Sequence, residues 1–199
     1  HEGNSGTFRE NINPAFELAY WSWGLKKAND WRERMGRERN ADWDRMADQM
    51  APWPVVNGVY VEAESVLEKD GGHPTQLAAY GFLPASAHLD KEVMRKTLRH
   101  VLDNWDWADT WGWDFPLIAM TAIRLNEPEW ALEALLKSVQ KNTYLPNGHN
   151  FQNEGLPLSL PGNGGLLTVV AMMCAGWDGC TEGNPCLLYT SDAADEGLG

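Results

Sequence analysis

Leu117, Ile118, Ala119, Met120, Ala122, Ile123 and Leu125 leave no polar face on a helix drawn through residues 117–125. Such a helix is stable only when it is covered on every side. It is too short to cross a bilayer, which takes about 20 apolar residues. Its N-terminus therefore opens into a protein interior. Directly before it stands Asp109-Thr110-Trp111-Gly112-Trp113-Asp114-Phe115-Pro116, with two tryptophans, two carboxylates and a glycine. The apolar face of a pyranose ring stacks on indole, and carboxylates bind hydroxyls or move protons. Each residue also has a plainer role, Trp111 and Trp113 as core and Asp114 as a helix cap. Gathered at the mouth of a buried helix, they read as a sugar site.

The rest of the chain alternates between buried and half-exposed helices. Residues 1–12 are polar and glycine-rich, a loop. Asn13-Pro14 supplies an N-cap and a proline at the first helical position, which predicts a helix to Met35 closed by Gly36. Phe16, Leu18, Ala19, Tyr20, Trp21, Trp23 and Leu25 place its first half in an interior. Residues 42–50 form a short amphipathic helix, and 55–66 a loop or short extended piece. His73-Pro74 opens a helix that Gly81 and Pro84 close. Asp90 caps an outer helix with the stripe Met94, Leu98, Val101, Leu102 and Trp105. Asn126-Glu127-Pro128 restarts an amphipathic helix through Val139. Residues 142–163 lack a helical period, and a loop of roughly twenty residues in a compact domain is usually functional. Gly164-Gly165 starts a last apolar helix, Leu166 to Ala175.

Buried helices thus begin near Pro14, Pro74, Phe115 and Gly164, at intervals of roughly 40 to 60 residues and without a sequence repeat. That argues against a regular solenoid. An inner ring of buried helices with amphipathic outer partners predicts an all-α fold, a partial α/α toroid of helical hairpins with long functional loops. Its centre is reached through the loops before the inner helices. A net charge of −12 makes nucleic acid and anionic membranes poor partners and leaves neutral glycans compatible. The 11 tryptophans exceed what helix packing alone explains at Trp21, Trp53, Trp107, Trp111, Trp113 and Trp177. Cys174 and Cys180 are too few for a disulfide framework or a zinc site. Residues 186–199 look like translated adapter read-through and are set aside, so the natural chain is expected to continue past Pro185.

Asn13-Pro14-Ala15-Phe16-Glu17-Leu18-Ala19-Tyr20-Trp21, His73-Pro74-Thr75-Gln76, Trp111-Gly112-Trp113-Asp114 and Leu160-Pro161-Gly162-Asn163-Gly164-Gly165-Leu166-Leu167 resemble the six-hairpin glycosidase superfamily. The likeness covers residues 11–179 and is closest to proteins near glycoside hydrolase families 65 and 95. It implies an (α/α)6 toroid that cleaves glycosidic bonds, generally with inversion and without a cofactor. Residues 1–185 then form the C-terminal part of the catalytic domain, and the remainder of that domain is a partner. Periplasmic or secreted location suits such an enzyme. In the family 95 fucosidases the segments matching His73 and Trp111–Asp114 line the sugar site, which makes His73, Gln76, Trp111, Trp113 and Asn163 candidate substrate-binding residues. The third segment departs from the family, because Pro161 stands where the fucosidases carry their general base before Gly-Asn. Their general acid lies just before the helix matched by residues 14–35, where Glu10 and Glu2 are available.

An inverting glycosidase needs an acid and a base carboxyl about 6.5–9.5 Å apart, and a retaining one about 5–5.5 Å. Glu10 is the candidate acid, Asp114 a base, a hydroxyl acceptor or a cap, and Glu154 a base in the long loop or a surface residue. Glu62 and Glu64 lie in a partly apolar loop that turns one of them inward. His73, His149 and Gln152 suit sugar hydroxyls, or are satisfied by backbone. Residues 162–165 resemble a phosphate cradle only weakly, with no Lys or Arg beside them in sequence. His73, His88, His100 and His149 are too scattered for a metal motif. The leading expectation is a glycoside hydrolase. The alternatives are a phosphorylase on the same fold and a non-catalytic glycan-binding toroid.

Overall fold

The computed structural model describes residues 11–66 and 70–180. The fold is mostly helical, with seven α-helices and two small hairpins among these residues. Helix α1 spans Ala15–Arg34, α2 Ala41–Asp48, α3 Thr75–Gly81 and α4 Lys91–Asn104. Helix α5 spans Asp114–Arg124, α6 Pro128–Leu135 and α7 Leu160–Ala175. Strands β1 (Val55–Val56) and β2 (Val59–Tyr60) pair antiparallel across Asn57-Gly58. Both turn residues have positive φ, the backbone a two-residue hairpin of this kind demands. Strands β3 (Thr143–Tyr144) and β4 (Asn150–Phe151) form the second hairpin.

Local chemistry sets most boundaries. The Asn40 side chain accepts from Asp42 N and Trp43 N, and the Asp90 side chain from Glu92 N and Val93 N, so both cap their helices. Asn13 does not cap α1. It stands at φ 49°, and its amide donates to Glu64 Oε1 at 2.9 Å. The first α1 amide is satisfied instead by Glu62 O at 2.9 Å. Helix α6 ends at Leu135, short of the expected Val139, and the Asn142 amide donates to the carbonyls of Leu135 and Lys137. Helix α7 starts four residues earlier than Gly164, with Pro161 in its first turn, where no amide hydrogen is needed.

Helix α5 is buried from Asp114 through Ile123, as its composition demands. It lies between α3 and α7, with α6 folded back against it. The His73–Asp114 contact joins the starts of α3 and α5, and Tyr80 OH donates to Arg124 O at 2.9 Å between their ends, so the two run parallel. Thr121 Oγ1 donates to Leu77 O midway between them. Helices α5 and α7 are parallel too. Gly165 sits against Pro116 at their starts, and Arg124 lies 5.5 Å from the Trp177 ring at their ends. Helices α3, α5 and α7 therefore present their N-termini at one end of the described residues.

Two expected interiors differ. On α1 only Ala15, Ala19, Ser22 and Asn29 are buried, and Trp21 is 58% exposed. On α7 only Gly162, Val169 and Met172 are buried, while Leu160, Leu167 and Val170 are 64%, 72% and 44% exposed. Both helices carry apolar residues on faces that no described element covers. No helix among the described residues is long and apolar enough to cross a membrane.

Candidate functional site

The shared N-terminal end of α3, α5 and α7 holds an imidazole–carboxylate pair. His73, just before α3, places Nδ1 3.0 and 3.1 Å from the two oxygens of Asp114, the first residue of α5. The Trp111 backbone N–H donates to Asp114 Oδ2 at 2.7 Å. Both side chains are buried. A carboxylate only accepts, so Nδ1 carries the hydrogen and donates. In the neutral form of the ring, this tautomer makes Nε2 the acceptor. No hydrogen bond engages Nε2 among the described residues. Burial pushes the Asp114 carboxyl above the usual aspartate range, against the opposing pull of His73 and the Trp111 N–H.

Two indoles frame the pair. Trp113 stacks on His73 with ring centroids 4.4 Å apart and planes at 29°. Trp111 lies 6.2 Å from the imidazole and is 37% exposed. It is the accessible aromatic surface of the mouth. Lys141 brings its ammonium to 5.2 Å from the Trp111 ring.

A buried amide clamp holds this link in place. Gly112 N donates to Gln152 Oε1 at 2.9 Å, and Gln152 Nε2 donates to Asn150 Oδ1 at 2.7 Å and to Lys141 O at 3.3 Å. Asn150 Nδ2 donates to the carbonyls of Lys141 and Thr143. Asn150 N donates to Asn163 Oδ1, and Asn163 Nδ2 donates to Gly148 O at 2.7 Å. A Cβ on Gly112 would stand 1.9 Å from Asn150 Oδ1, so only glycine fits there. Gly162 meets the same side chain, which would lie 2.4 Å from an added Cβ.

The sequence candidates divide accordingly. His73, Trp111, Trp113 and Asp114 are brought together at the mouth. Gln152 and Asn163 belong to the clamp behind it, and Gln152 is fully buried with both ends of its amide engaged. Glu62 and Gln76 line a separate cavity of about 310 Å³ with Asp70, His100 and Trp105. Gln76 is buried there, and its Oε1 has no partner among the described residues. Glu64 is exposed and bound to Asn13, His149 is half-buried, and Glu154 is exposed in the turn before α7. Glu10 lies outside the described residues. Among the described residues no cluster of His, Cys, Asp or Glu could hold a metal ion.

Asn150 and Lys141 are central residues that sequence reasoning passed over. Asn150 and Gln152 stand two apart, so in extended chain they share a face, a signal visible before the structure. Lys141 gives no such signal, because its neighbour Trp111 is thirty residues away. The chain matches no protein-family model, and no curated protein matches it.

Proposed function

We propose that this chain supplies the sugar-binding mouth of a glycoside hydrolase built on an (α/α)6 toroid. The observation that carries the reading is His73: an imidazole turned by a buried carboxylate, stacked on Trp113, with its ring 6.2 Å from the partly exposed Trp111 and no hydrogen bond to Nε2 among the described residues. A sugar ring on Trp111 donates a hydroxyl to Nε2. Asp114 acts through His73, since its two oxygens are already engaged by His73 and by the Trp111 amide. It is a positioning residue in this scheme. Glu10, in the segment before α1, is the proposed general acid. Hydrolysis with inversion also requires a carboxylate base and a water opposite that acid.

Sugar release from a panel of oligosaccharides and aryl glycosides, with and without inorganic phosphate, tests this on the chain recovered in full. Phosphate-independent release that falls at least tenfold in His73→Ala and is lost in Glu10→Gln supports the hydrolase. Release only with phosphate, giving a sugar 1-phosphate, replaces it with a phosphorylase. The second reading is a non-catalytic glycan binder. It is favoured by Asp114, which is buried and has both oxygens in contact with His73 Nδ1 or the Trp111 N–H rather than turned to a ligand. Binding without turnover across the panel selects it.

A further inference from the structure

Among the described residues the mouth holds one basic side chain, Lys141, and its position is built rather than incidental. Lys141 sits in a single 3-10 turn, Gln140–Asn142, at the base of the β3–β4 hairpin. Its carbonyl accepts from both Asn150 Nδ2 and Gln152 Nε2 at 3.3 Å. Gln152 holds Gly112 N with its other end. One fully buried amide therefore ties the backbone of Lys141 to the backbone beside Trp111. The ammonium and the His73 imidazole lie 5.2 and 6.2 Å from that same indole ring. No carboxylate among the described residues pairs with the Lys141 ammonium, although Asp and Glu far outnumber Lys and Arg in the chain.

We propose that the sugar taken at this mouth is acidic, a uronic acid whose carboxylate is bound by Lys141 while its ring lies on Trp111 and a hydroxyl reaches His73 Nε2. This rests on the glycan reading above and names its substrate class. A net charge of −12 opposes an anionic ligand at long range, but salt screens that repulsion beyond about 8–10 Å. At contact, an unpaired ammonium decides. It discriminates because a neutral sugar offers it only an uncharged hydroxyl, whereas a carboxylate offers a full opposite charge and makes an ion pair with it.

Tryptophan fluorescence titration of the full chain with a digalacturonate and with the matching neutral digalactoside tests the proposal. The acidic ligand is expected to bind about tenfold more tightly. Lys141→Met removes that preference by weakening the acidic ligand far more than the neutral one, Lys141→Arg retains it, and Lys137→Met, on the Trp107 ring, has no effect. Matching melting curves confirm that each variant is folded. Equal affinity for the two ligands in the unaltered chain overturns the proposal, as does equal weakening of both by Lys141→Met. Saturable binding of inorganic phosphate alone, lost in Lys141→Met, overturns it in favour of a free-phosphate site. A neutral sugar that binds without acidic preference and is lost in His73→Ala sinks this inference and leaves the glycan mouth standing. Failure of both sugars to bind sinks both.

Discussion

Asp114 is a carboxylate that the fold makes harder to ionise, and this reverses the usual dependence of stability on pH. Its folded pKa is raised above the ordinary 3.8 by burial. The folded state then holds the proton more strongly than the unfolded chain, so stability falls as pH rises from 3.8 through the folded value. Asp114→Asn removes that cost. The melting temperature of the variant is expected to gain on the parent as pH rises through this window and to match it below. The same change offers an amide N–H to Nδ1, forces the other imidazole tautomer, and turns Nε2 from acceptor to donor. Sugar binding is expected to fall at least tenfold even where stability improves. Asp44 has the opposite sign. The Arg39 guanidinium holds it at about 2, so its contribution is present above 3.8 and lost as pH falls towards that value. Acid titration followed by circular dichroism separates the two. The four residues at the mouth were readable from sequence because they are adjacent or helix-opening. Their hydrogen bonds were not, since His73 and Asp114 lie 41 residues apart.

Close approach, rather than propensity, decides how α5 and α7 pack. Gly164 and Gly165 are neighbours in α7 with opposite roles. Nothing lies within 4 Å of a Cβ on Gly164, whereas one on Gly165 would meet Pro116 Cγ at 2.6 Å. Gly164→Ala is expected to stabilise by roughly 0.5–1 kcal/mol, because glycine costs that much in a helix interior. Gly165→Ala is expected to destabilise by about 1–3 kcal/mol through overpacking. Urea unfolding of both variants checks the sign at each position, and equal effects would contradict the packing. Gly112→Ala belongs with Gly165→Ala, since the clash there falls on a buried hydrogen-bonded amide. The sequence pattern found α5, although it begins three residues before the apolar run, and identified the Asp90 cap, because an all-apolar run and an Asp before a stripe are local signals. It misplaced the start of α7, where Pro161 and glycines read as loop although a first turn tolerates them. It also missed both hairpins as paired strands, since each strand is only two residues long and carries no measurable alternation.

Taken together, the described residues leave α7 with an apolar flank open to water, through Leu160, Leu167 and Val170. Beside it, Gly81, Gly165 and Met172 line an apolar groove of about 620 Å³ that α7, α5 and α3 leave unfilled. Composition reports only that a helix prefers cover, not that cover is present, so the expectation of a buried α7 fails on the side away from α5. Uncovered apolar patches drive association. The 199-residue chain is expected to self-associate, and Leu167→Glu with Val170→Lys to reduce that association, as read by light scattering across a concentration series. A monodisperse monomer with one cooperative melt would contradict this and weaken the toroid reading. The parallel arrangement of α5 and α7 has an electrical consequence as well. Each helix start carries about half a positive elementary charge from its aligned peptide dipoles. Both starts emerge at the mouth, where their partial charges offset part of the negative charge of Asp114. The peptide dipoles of α5 thus join His73 and the Trp111 N–H in easing the burial of a carboxylate at the first position of that helix.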